Sequence, residues 1–246
     1  MRKLLLMILC LLLCLGAAWA DPLPQAPDLA GSMTYPEDAA PADVIYTYTY
    51  SLPQVAGEGE VVESINAFYA YQQKDVGDYT IYVKSSGVTD PTQPAWSRFT
   101  YRITANTDAY FSVLQTEETL MDGVRSVSYQ AQTFGRDTRK AGKVLSLPYM
   151  LGILDDEESD EWLMERQTNR ANACIRTLVA EELALRGIDS ITEDDLTYDF
   201  FPEEDFYYDA GTESLVFFLQ PYLFPEEEPG EMVSFSFTIE EILDEL

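Results

Sequence analysis

Carboxylates are the one chemically active side chain that this sequence supplies in abundance, with 43 Asp and Glu against 15 Lys and Arg and no histidine at all. The lack of histidine excludes Ser-His-Asp and Cys-His nucleophilic sites, HExxH zinc sites and any His-ligated metal built from this chain alone. Four lysines, Lys74, Lys84, Lys140 and Lys143, could in principle serve a Ser-Lys dyad, but no serine stands beside them in a recognisable motif. Cys174 sits among Ala171, Ala173, Ile175 and Leu178 and reads as a small apolar residue of a helix, since no base is available to activate a thiol. The acids themselves come in runs: Asp155-Asp156-Glu157-Glu158, Glu193-Asp194-Asp195, Glu203-Glu204-Asp205 and Glu226-Glu227-Glu228. None matches the alternating calcium loop, so no metal is assigned. Paired carboxylates of the glycosidase kind are allowed by residue type, which keeps open an alternative role as a peptidoglycan-acting enzyme or enzyme accessory. No catalytic residue and no cofactor is assigned, because no glycine-rich phosphate loop or dinucleotide fingerprint occurs.

The formal net charge of −28 excludes nucleic acid as a default partner, since phosphate backbones are held by Lys and Arg. Most of the acidic excess falls in residues 155–246, which makes that part the natural face for a cationic protein. Solubility alone would also account for it. Tyr207, Tyr208, Phe217, Phe218, Tyr222 and Phe224 cluster in the same region. Alternation along strands would bury about half of them, and tyrosines left exposed beside acidic loops suit a protein-binding patch.

The elements that must position these groups begin after an export signal. Arg2 and Lys3 precede the apolar run Leu4–Leu15, and Ala18-Trp19-Ala20 is a small-x-small cleavage site, so residues 1–20 are expected to be a cleaved signal peptide. The run is shorter than the roughly 20 residues a spanning helix needs, and no membrane span is expected after cleavage. The product would be secreted or associated with a bacterial cell envelope. Residues 21–43, rich in Pro, Ala and Asp, read as a flexible lead. Residues 44–141 then read as a strand at 45–50, a helix over 59–74 and four strands at 79–84, 99–104, 110–116 and 124–133 forming an antiparallel meander.

In residues 142–246 a short strand, 142–147, leads into a helical turn near 149–154. The longest helix follows, from an N-cap at Ser159 to a stop at Gly187. Strands are expected at 198–201, 206–209, 214–219 and 232–237, and Thr238 with Glu241 forms a capping box that opens a last helix. The layout is α+β: antiparallel sheet with one long helix and shorter helices packed on it.

Three stretches carry a family resemblance. They are GKVLSLPYMLGI from Gly142, the long helix after it, and YDFFPEEDFYYDAGTESLVFFLQPYLFPEEEPGEMVSFSF from Tyr198. Tyr48-Thr49-Tyr50-Ser51-Leu52-Pro53 followed by Ile65-Asn66 extends it toward the N-terminus. This arrangement resembles the RsiV-like family, exported domains of unknown function 3298 that often follow a smaller domain numbered 4163. The resemblance implies a mixed sheet-and-helix fold and, from an anti-sigma member, a receptor domain that binds lysozyme; other members accompany a peptidoglycan deacetylase. The anti-sigma type also has a transmembrane helix and an intracellular segment, which this chain would not have once cleaved after Ala20. The family's proline loop continues with a tyrosine, where Glu226 stands here. On this basis the expected function is a secreted, non-catalytic domain engaging a cationic protein such as a lysozyme-like muramidase. Its contact residues would be Tyr222, Phe224, Pro225, Glu226, Glu227 and Glu228.

Overall fold

A computed structural model describes residues 21–86, 92, 95–136, 140–154, 160–224 and 232–246, with the side chains of 75–86 excepted. The expected signal peptide, residues 1–20, lies outside the described residues. Five strands make the larger sheet: β1 (Leu29–Tyr35), β2 (Tyr46–Leu52), β3 (Ala95–Asn106), β4 (Tyr110–Met121) and β5 (Val124–Gly135), hydrogen-bonded in that order. Helix α1 (Glu60–Ser86) connects β2 to β3, and these two strands run parallel while the other pairs are antiparallel. A parallel neighbour requires a crossover of this kind, because a tight turn can only reverse the chain.

Strand β4 shows why both faces of this sheet are covered. Phe111 and Val113 face α1 and pack with Ile65, Tyr69 and Phe134, and Gln115 exchanges hydrogen bonds with Gln72 of the helix. The residues between them point the other way, as the two-residue period of a strand demands. Leu114 accordingly packs with Tyr207, Val216 and Phe218 of a second sheet.

That sheet is formed by β6 (Phe206–Asp209), β7 (Ser214–Leu219) and β8 (Val233–Phe237), antiparallel and in chain order. Its middle strand is buried along its whole length, so Ser-Leu-Val-Phe-Phe-Leu shows no polar face. Val216 and Phe218 turn toward the five-stranded sheet. Leu215, Phe217 and Leu219 turn toward helix α3 (Glu161–Arg186), meeting its Ala171, Ile175, Val179 and Leu183. The short helices α2 (Leu147–Met150), α4 (Glu193–Tyr198) and α5 (Ile239–Glu245) add Leu147, Leu196 and Ile242 to the same core. The layers therefore run helix, sheet, sheet, helix. The α+β class read from the sequence is the class observed.

Several expected elements stand as read. Strands β6 and β7 occupy the expected residues, Gly187 closes α3 in the left-handed region at φ 68°, and Thr238 with Glu241 caps α5 reciprocally. Five expectations are corrected. The short strand expected at 142–147 makes only isolated bridges, Val144 with Phe134 and Ala141 with Gly135, and Leu147 already opens α2. The stretch expected as a flexible lead contains β1, whose register places Gly31 opposite Tyr50, and a Cβ at that position would collide with the tyrosine ring. Further hydrogen bonds hold the lead down: Ala26 N–H to Gln54 O at 3.0 Å, Ala56 N–H to Pro24 O at 2.7 Å, and Tyr101 and Ser51 hydroxyls to the Asp28 carboxylate, each at 2.5 Å. Residues 79–84, expected as a strand, continue α1. Extending an existing helix adds a hydrogen bond for each residue fixed, which outweighs the modest strand preference of Tyr-Thr-Ile-Tyr-Val. The N-cap of α3 is Asp160, which accepts from Trp162 N–H at 3.3 Å, while Ser159 lies outside the described residues. Finally, residues 198–201 leave a helix and enter a turn, because Thr192 and Asp195 form a second capping box that starts α4 upstream.

Candidate functional site

A cleft of about 540 Å³ opens where the outer edge of β5 meets the turn between α4 and β6 and the 3₁₀ turn Pro221–Leu223. Its walls include Tyr129 and Ala131 from β5, Phe201, Glu203, Glu204 and Asp205 from the turn, and Gln220 and Tyr222. Among the described residues, no Lys or Arg lines it. Phe201 is 42% exposed and Tyr222 59% exposed, so two aromatic rings stand in the open beside exposed Glu204 and half-buried Glu203, with Asp205 buried behind them.

The turn that carries the acids is held from beneath by α3. Asn172 donates from Nδ2 to Glu203 at 2.6 Å, and Arg176 donates to the Phe200 carbonyl at 3.0 Å. Phe200 itself is fully buried and plugs the turn into the helix-side core.

Asp205 closes the turn and connects it to both sheets. One carboxylate oxygen accepts from the Phe201 N–H at 3.0 Å and the other from Gln220 Nε2 at 2.8 Å. The same Gln220 Nε2 donates to the Tyr129 carbonyl at 2.9 Å, while Gln220 Oε1 accepts from the Tyr129 N–H at 3.1 Å. A side-chain amide thus occupies the place that a neighbouring strand's peptide group would take. Burial raises the Asp205 carboxyl from its ordinary 3.8 to about 6, with Glu204 and Glu203 adding to the rise and the two hydrogen bonds opposing it. The Tyr222 hydroxyl donates to the Asp199 carbonyl at 3.0 Å, and its acidity is weakened first by burial and then by the Asp199 and Asp205 carboxylates.

Of the six residues expected from the sequence to form a contact surface, the structure describes two. Tyr222 is on the surface at the mouth of the cleft. Phe224, only 9% exposed, belongs to the helix-side core and anchors the chain there rather than presenting its ring. Pro225, Glu226, Glu227 and Glu228 lie outside the described residues. The other acidic runs separate: Glu193, Asp194 and Asp195 form the first turn of α4, Glu203, Glu204 and Asp205 line the cleft, and 155–158 lie outside the described residues. Cys174 is half-buried on α3 and burial pushes its thiol up, which suits packing rather than reactivity.

Sequence reasoning missed Phe201, Gln220 and Ala131, and it read Asp205 only as one acid of a run. The only local hint was the position of Asp205 directly before a hydrophobic strand. Gln220 carries no signal, because its partner Tyr129 is brought to it only by the stacking of the two sheets.

No protein-family model matches the sequence, and no curated protein does. Among solved structures, a DUF3298 family protein from Pseudomonas aeruginosa PAO1 is similar at a TM-score of 0.51 and 13% identity, covering 91% of this chain and 94% of that one. A member of the DUF3298 family from Bacteroides fragilis NCTC 9343 is similar at a TM-score of 0.49 and 11% identity, covering 92% of this chain and 98% of that one. At such identity a likeness speaks for the fold alone, and along nearly its whole length the fold of this chain is similar to that of the Pseudomonas DUF3298 family protein.

Proposed function

We propose that this protein is an exported, non-catalytic binding domain that engages a cationic extracellular or envelope protein, a lysozyme-like muramidase being the partner that the RsiV-like resemblance suggests. The observation that carries this reading is the cleft itself: Phe201 and Tyr222 exposed beside Glu203, Glu204 and the buried Asp205, with no basic residue among the described residues of its lining. Aromatic rings buried on association supply affinity, and the carboxylates supply electrostatic steering and exclude anionic partners. Phe224 contributes by seating the 3₁₀ turn that presents Tyr222. Pro225 and Glu226–Glu228 follow Phe224 directly in the sequence and add three acids to it.

Calorimetric titration of the purified protein with a cationic lysozyme tests the proposal. Saturable one-to-one binding that persists at near-physiological salt is the expected result. Heat that vanishes as salt rises would show charge attraction alone and sink the reading. Replacing Glu226, Glu227 and Glu228 together by Gln is expected to slow association at low salt, measured by stopped flow. An unchanged association rate would remove that loop from the contact surface.

A second reading, a carboxylate enzyme or enzyme accessory acting on peptidoglycan, is favoured by one observation. A carboxyl held near 6 in a cleft is the kind of group that donates a proton near neutral pH. Against it, both Asp205 oxygens already accept structural hydrogen bonds. Cell-wall hydrolysis by the wild type that disappears in a folded Asp205→Asn variant would establish it.

A further inference from the structure

Strand β5 is an edge of the five-stranded sheet, so alternate residues along it direct their N–H and C=O away from the sheet. Two parts of this edge are covered. At Thr133 and Gly135 the chain returns alongside, with Leu145 N–H donating to Thr133 O at 2.8 Å and Gly135 N–H donating to Lys143 O at 3.1 Å. At Tyr129 the Gln220 amide takes both backbone groups, at 3.1 and 2.9 Å. Ala131 stands between the two. The regular register of β4 with β5 gives it the same outward parity as Tyr129 and Thr133, and among the described residues no hydrogen bond reaches its outward N–H and C=O. This open stretch lines the same cleft as Glu203 and Glu204.

We infer that the Ala131 edge of β5 is a docking position for an extended basic segment of a partner protein, which pairs its backbone with Ala131 and places a Lys or Arg side chain against Glu204. The inference rests on the cationic-partner reading above and adds to it a binding mode. Strand addition supplies hydrogen bonds that any sequence can make, and the flanking side chains supply the selection. Here selection comes from charge: the cleft presents Glu203 and Glu204 and, among the described residues, no base, and Phe201 and Tyr222 offer ring faces on which an alkyl-ammonium or guanidinium stem can lie. Gln220 and the returning 141–145 segment bound the open stretch on either side, so the added strand is short.

The test uses a synthetic peptide of eight residues alternating Lys and Thr, and the same peptide N-methylated at every second residue so that it cannot pair as a strand. With the full protein, the unmodified peptide is expected to slow hydrogen exchange at the Ala131 amide. N-methylation is expected to weaken binding at least about tenfold, the scale of one or two lost hydrogen bonds. Ala131→Pro removes the outward N–H without touching the β4 ladder and is expected to weaken the peptide comparably. Glu204→Gln is expected to weaken binding and flatten its salt dependence. Equal affinity of the two peptides, or unprotected exchange at Ala131 on saturation, would overturn edge pairing. If lysozyme binds the wild type and Ala131→Pro equally, edge pairing falls while the cationic-partner reading stands. If lysozyme does not bind but the peptide protects Ala131, edge pairing stands and the muramidase reading falls.

Discussion

Gln220 makes three hydrogen bonds with one amide, two to Tyr129 and one to Asp205, and this satisfies its donors and acceptor together. A Gln220→Leu variant keeps the bulk and removes all three, leaving the Tyr129 peptide groups and the Asp205 carboxylate short of partners. It is expected to cost about 1–3 kcal/mol, read from urea unfolding at neutral pH. Asp205 makes the pH dependence predictable. Its folded-state pKa of about 6 lies above the ordinary 3.8, so the native state holds its proton more tightly than the unfolded chain. Its contribution to stability is complete below about 3.8 and is lost as the pH rises through about 6. Relative to Asp205→Asn, which does not titrate, the wild type is expected to lose stability between pH 4 and 7. A parallel pair of stability curves over that range would show that burial does not perturb this carboxyl.

Elements in this chain are fixed with different degrees of local authority. The α5 boundary is set by two residues: the Thr238 hydroxyl accepts from the Glu241 N–H at 3.2 Å, and the Glu241 carboxylate accepts from the Thr238 N–H at 2.7 Å. Thr238→Ala is expected to cost about 1 kcal/mol, measured by thermal or denaturant unfolding, because the cap is local and Ile242 still anchors the helix in the core. Strand β1 is the opposite case. Its Leu29, Met33 and Tyr35 are too sparse among Ala, Gly and Ser to mark a strand, and its position is decided by pairing with Tyr-rich β2. Gly31 reads locally as a breaker, yet in the sheet its missing Cβ makes room for the Tyr50 ring.

At the scale of the molecule, the two sheets share a core rather than lying side by side. Leu114 of β4 packs with Tyr207, Val216 and Phe218, and Thr104 of β3 donates its hydroxyl to the Tyr208 carbonyl at 2.8 Å. Arg102 donates to the Tyr207 hydroxyl at 2.9 Å and lies 5.2 Å from the centre of its ring. Because neither sheet can expose that face without the other losing its cover, the protein is expected to unfold in one transition. Far-ultraviolet circular dichroism and tryptophan fluorescence should give coincident midpoints, and two separated midpoints would refute the shared core.

The sequence by itself determined the α+β class, most of the strands, the long helix and its glycine stop, the C-terminal capping box, and the acidic surplus. These follow from short-range periodicity, turn chemistry and charge, which act within a few residues and need no partner. Only the tertiary structure decided that β2 and β3 run parallel, that Phe224 is interior while Tyr222 is exposed, and that Gln220 reaches across to Tyr129 beside an open edge at Ala131. Each of these depends on which segments, distant along the chain, are pressed together when apolar faces leave water. That choice is made by the summed burial of whole layers, and no window of neighbouring residues contains it.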